Sequence, residues 1–122
     1  MAEESILKSI RSAVGLDAED NSFDSEIILH VNGAIATLYQ NGVGEPIAVT
    51  GVEETWDNFK NPAQLTGNLM FEQVKLFIFT KVKLLFDPPP PSTATYMNAA
   101  SEELLWRLRL AYDPVSEIEE ET

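Results

Sequence analysis

Few side chains in this 122-residue chain stand where they could do chemistry. His30 is the only histidine. A general base needs an oriented partner and a cleft, and no second histidine or motif supplies either. Adjacent carboxylates include the pairs Glu53-Glu54 and Glu102-Glu103. Neighbouring residues on a helix point about 100° apart, so such pairs do not converge on one reacting atom. The run Asp17-Ala18-Glu19-Asp20-Asn21 has the acids of a cation loop but lacks its glycine and its terminal bidentate glutamate. Neither a phosphate-cradling loop nor a dinucleotide fingerprint is present. The chain has no cysteine, which excludes disulfides, thiolate metal sites and thiol nucleophiles. The inventory therefore predicts no enzyme, no metal and no cofactor.

Binding chemistry is better represented. Trp56 and Phe59 sit in a polar, irregular stretch, where aromatic residues either anchor an interface or fold back on their own helices. Trp106 lies in a helix already served by a leucine stripe, so it is either core or an intersubunit contact. Phe71 and Phe79 add apolar bulk away from the main stripe of their helix, and Tyr112 closes the last one. These six form the expected subunit or partner interface. The formal charge is −12, with acids gathered at both ends and in the loops. Such a surface disfavours phosphate contact, because nucleic-acid binding needs a basic footprint. It serves solubility, or else it lets the protein sit near DNA without adhering. Lys75, Lys81, Lys83, Arg107 and Arg109 concentrate on two helices of the second half, where an acidic surface of a neighbouring copy can meet them.

The elements that position these residues follow from periodicity. Ile6, Leu7, Ile10 and Val14 stripe a first helix over 3–14, stopped by Gly15. After an acidic turn, Ser22 or Asp24 caps a second helix reaching Tyr39, with Ile27, Ile28, Val31, Ile35 and Leu38 on one side. Asn41-Gly42 ends it. Glycines and prolines punctuate 43–68, where Ile47, Val49 and Val52 alternate as in a short strand and Thr55 caps one turn carrying Trp56 and Phe59. A connection that long is usually functional or disordered, and its aromatics predict an ordered, projecting loop.

A third helix covers 69–86. Met70, Val74, Phe77, Ile78, Leu84 and Leu85 make one stripe, while Phe71, Phe79, Val82 and Phe86 lie on other sides. It is central in its domain or covered by another subunit. Glu72, Lys75, Lys81 and Lys83 make it a poor membrane span. Pro88–Pro91 stop it and form a stiff, extended spacer. A fourth helix follows, with Ser101 as a second starting cap and Leu104, Leu105, Leu108 and Tyr112 on one side. The expected fold is mainly α: a bundle of about four helices with a long loop, able to hold a β-hairpin, between helices two and three. The expected domain is 1–112, followed by an acidic tail over 113–122. The acidic start lacks the bases of a secretory signal.

The order and wording of these segments resemble the head–tail connector (adaptor, or head-completion) proteins of long-tailed double-stranded DNA bacteriophages. The resemblance rests on DAEDNSFDSEIILHVNGAIATLYQNGVG, on TWDNFKN closing the loop, on VKLFIFTKVKLLFDPPPP, and on the final ELLWRLRL. It implies a homo-oligomeric, twelvefold ring beneath the portal protein that extends the DNA channel and joins the filled capsid to the tail. The implied partners are the portal protein and the next connector or tail-completion protein. DNA passes through without sequence-specific binding, and no membrane is involved. The implied location is the virion neck, after assembly in the host cytoplasm. Binding elements carry over as regions: the loop 43–68 and the C-terminal part from Tyr112. Glu53, Glu54 and Asp57 are the acids expected to face the channel. The rival reading is an acidic DNA-mimic or inhibitor of a nucleic-acid-processing protein, which would leave the apolar third helix unexplained. A small metal-dependent enzyme using His30 is the third.

Overall fold

The computed structural model describes residues 5–44, 47–59 and 71–111, without the side chains at 58, 59 and 71. Four α-helices carry the fold: α1 (Ile6–Ala13), α2 (Asp24–Gln40), α3 (Phe71–Phe86) and α4 (Pro91–Ala111). One 3₁₀ turn spans Trp56–Phe59. The mainly α class expected from periodicity is the class that forms.

Local chemistry sets the helix ends. Ser5 caps α1, its Oγ accepting from the Lys8 amide at 3.3 Å. Gly15 (φ 92°) and Gly42 (φ 81°) hold the left-handed conformation just past α1 and α2. They let Leu16 N bond Arg11 O at 2.9 Å and Val43 N bond Leu38 O at 2.8 Å, which satisfies carbonyls the helices leave open. The start of α2 differs from expectation. Phe23, not Ser22 or Asp24, is the capping residue, and no side chain bonds the first amides. Asp24 is drawn elsewhere: its two oxygens accept from Arg11 Nε at 3.0 Å and Nη2 at 2.6 Å. A bidentate pair with an arginine offers this carboxylate two charge-assisted bonds and an opposite charge, where the backbone amides of a helix start carry none.

The centre of the molecule is α3, which packs against α1, α2 and α4. Much of its many-sided apolar character is thus met inside the chain, with Leu76 and Leu85 left exposed. Val74, Phe77, Ile78 and Val82 are fully buried, each contributing roughly 1.5–3 kcal/mol. The stripe is shifted from the expected one. Val82 belongs to the core, whereas Leu85 is 59% exposed. The Phe23 and Phe86 rings meet edge to face, 5.5 Å between centroids. This contact joins the start of α2 to the end of α3 and so fixes the two helices as antiparallel.

The proline run does not form a spacer. Only 87–90 connect the helices, and Pro91 is the first residue of α4. Proline fits there because its missing amide has no intrahelical acceptor to lose and its fixed φ is already helical. Ser101, expected as a second start, is buried mid-helix, its Oγ donating to Asn98 O at 2.9 Å. The strand expected around Ile47–Val52 is also missing. Among the described residues the sole bridge is an isolated antiparallel one between Ser5 and Thr55. The reason lies with Val49, whose backbone is satisfied by a side chain instead of a second strand.

Candidate functional site

That side chain is Asn32 on α2. Its Oδ1 accepts from Val49 N at 2.8 Å and its Nδ2 donates to Val49 O at 3.0 Å. One amide thus copies a β-ladder rung and pins the loop to the bundle. Two further contacts pin it to α1: Ile6 N donates to Glu54 O at 3.0 Å, and Trp56 Nε1 donates to Ser9 Oγ at 3.0 Å. The described part of the loop is held at three points, which makes it a fixed projection.

Within the loop the three acids differ. Glu54 folds inward: its carboxylate accepts from Thr50 N (3.1 Å), Thr50 Oγ1 (2.7 Å) and Gly51 N (3.2 Å). The Thr50 hydroxyl contact is the main cause holding its pKa below the usual glutamate value, because hydrogen bonds to the carboxylate favour the charged form. Glu53 and Asp57 are exposed beside it. Glu54 therefore organises the loop, while Glu53 and Asp57 present charge.

Of the six expected interface residues, Trp56 is buried in the chain's own core. It meets the Phe79 ring edge to face at 6.0 Å, and the Lys75 ammonium lies 5.4 Å from its centroid. Of the two roles open to it, folding back is the one adopted. Phe79 is half-buried against it. Trp106 faces outward on α4, 59% exposed. Tyr112, the tail 113–122 and the side chains of Phe59 and Phe71 lie outside the described residues, as do Met70 and loop residues 60–68.

The site is therefore a surface, and most of it is on α4. This helix has 21 residues, about 31 Å, yet only Ser101, Leu104 and Leu108 are buried, all against α3. Its outward side carries Tyr96, Trp106 and Leu110, large apolar groups each more than half exposed. A second uncovered surface lies between α2 and α3, where Leu29 and Leu85 flank a cleft over Gly33. His30 lies on its margin, its Nε2 3.6 Å from Glu26 Oε2. No cluster of three or more metal-ligating groups occurs among the described residues, and no described helix is long and apolar enough to cross a membrane.

Sequence reasoning missed Arg11 and Asn32. Arg11 stands four residues after Leu7, inside the apolar stripe of α1, and a base there signals a buried partner. Asn32 sits on the margin of the α2 stripe, with nothing in its spacing to mark a bond 17 residues away.

The described residues form a helical bundle that leaves large apolar side chains uncovered on α2, α3 and α4. A family model described as phage connector protein matches residues 6–115, and the chain belongs to that family of bacteriophage head–tail connectors. The connector family is structural, joins other phage head or tail proteins, and places the chain in the virion neck. No curated protein and no solved structure matches the chain.

Proposed function

We propose that this chain forms a homo-oligomeric ring beneath the portal, twelvefold to match it, that joins the DNA-filled capsid to the tail and extends the DNA channel. The observation that carries the reading is α4, a long helix buried on one side only inside a chain of the connector family. Such a face gains about 25 cal/mol for each Å² of apolar surface that a neighbour removes from water. One repeated heterologous contact closes into a ring when its rotation permits. The partners in this reading are the portal protein and the next connector or tail-completion protein, met after assembly in the host cytoplasm.

Residues 1–112 act as one connector domain, and the acidic segment 113–122 reaches a neighbour or the portal. DNA passes through without sequence-specific contact. Glu53 and Asp57, on a loop fixed to the bundle, face the lumen and repel phosphates, so the duplex slides and is not held. Electron microscopy of the protein bound to portal-bearing capsids tests this: a ring at the portal vertex is expected. Stable capsid–tail joining by particles lacking the protein would sink the reading.

A further inference from the structure

Gly33 is unexplained inside the subunit. It lies in the middle of α2 with ordinary helical backbone, and a Cβ added to it would meet nothing within 4 Å. Mid-helix glycine is unfavourable, so a hole kept open there calls for something that fills it from outside. Around it the surface is unusual for so acidic a chain. From Leu29 to Gln40 the exposed residues of α2 are Leu29, Gly33, Ala36, Tyr39 and Gln40, none of them charged. Leu29 and Leu85, 69% and 59% exposed, wall a cleft of about 300 Å³ whose floor is Gly33 and Ala34.

We propose that the cleft over Gly33 receives the Trp106–Leu110 edge of α4 from a second copy of this chain. A copy cannot fill its own cleft this way, because α2 and α4 pack on different parts of α3 and hardly touch each other. The contact is therefore heterologous and repeats from copy to copy. Charge selects the occupant. On the outward side of α4, Glu102 precedes Trp106 by one turn and Arg109 follows it by about one, all three exposed. The two charges stand seven positions apart, about 10 Å along the helix.

The cleft presents the opposite order. Glu26 stands at the α2 start, one turn before Leu29. Lys81, one turn before Leu85 on the antiparallel α3, directs its ammonium toward the Phe77 ring, 5.7 Å from the centroid. With α4 antiparallel to α2, Arg109 meets Glu26, Glu102 meets Lys81, and Trp106 enters between Leu29 and Leu85. Between copies that each carry −12, contact through an uncharged cleft with paired ends is the arrangement repulsion opposes least.

This inference rests on the ring reading and is tested separately from it. The chain has no cysteine, so paired thiols report one contact. In the docked register Ala99 and Ala36, both exposed, come together one turn beyond Glu102 and Gly33. The full chain carrying Ala36→Cys and Ala99→Cys, treated with a short bis-maleimide, should give a ladder of multimers, both concentrated in solution and in neck-bearing particles. Each single variant alone should give none, and a mixture of the two single variants should give dimers only. Adding Gly33→Leu or Trp106→Asp should reduce the ladder at least tenfold while the circular-dichroism melt shows a folded monomer. No ladder from particles whose necks contain the protein would overturn the contact and leave the connector reading standing. Dimers from the Ala36→Cys variant alone would overturn it in favour of a symmetric interface.

Discussion

Arg11 shows what one residue decides here. Its guanidinium is almost wholly buried yet binds both oxygens of Asp24 and, through Nη1, Ala18 O at 2.6 Å. The Asp24 contact is the main cause that raises its pKa, so it stays charged at any working pH. Arg11→Met should cost about 2–3 kcal/mol in urea unfolding, because it strands a partly buried carboxylate and a carbonyl. Asn32 has a comparable role for the loop. Asn32→Leu should leave α3 amides protected but speed hydrogen exchange at Val49 by ten-fold or more, as about 1–3 kcal/mol of local satisfaction is lost. Glu54 adds a pH dependence. Its folded pKa lies below the unfolded one, so its contribution is fully present above the ordinary glutamate value of about 4.3 and is lost as pH falls through the folded pKa. The protection factor of the loop amides, which divides out the intrinsic pH dependence of exchange, should therefore fall on acidification below about pH 4.3, and Glu54→Gln should remove that dependence.

At the scale of elements, α3 and α4 exchange the roles that periodicity gives them. Phe79 on α3 packs half-buried on Trp56, so Phe79→Asp should destabilise the monomer by about 2–3 kcal/mol, less than the loss of a fully buried aromatic. Trp106→Asp on α4 removes only exposed surface and should shift monomer stability by no more than about 0.5 kcal/mol. Thermal melts of the two variants check the contrast, with assembly lost in both but the fold weakened in one. The cleft and the outward edge of α4 lie on two elements that share α3 as their support. A rigid central helix therefore fixes the geometry of both surfaces in each copy.

Across the whole molecule, charge and apolar surface pull in opposite directions. A net −12 keeps copies apart at low salt. Raising ionic strength shortens the screening length from about 30 Å at 0.01 M to about 8 Å at 0.15 M. Association should therefore strengthen with salt over that range, as read by sedimentation, since the long-range repulsion is screened more than contacts at a few ångströms. The helices and their glycine stops were legible in the chain, because 3.6-residue periodicity and left-handed turns are local properties. The buried face of α3 was legible in part: Val74, Phe77 and Ile78 are buried as expected, while Val82 joins them and Leu85 does not. The loop was not: its strand-like alternation yields to one amide from α2, a choice that depends on which helix lies beside it.

The sequence by itself determined that this is a small acidic helical protein of connector type with more apolar surface than one face needs. Only the tertiary structure decided where the surplus goes. Packing on three sides takes up most of α3, whose many-sided character first pointed to neighbours. The exposed remainder moves to α4 and to the cleft over Gly33. Pro91, which reads as a break, begins the helix that bears most of it, because proline is as compatible with a first turn as it is hostile to an interior one.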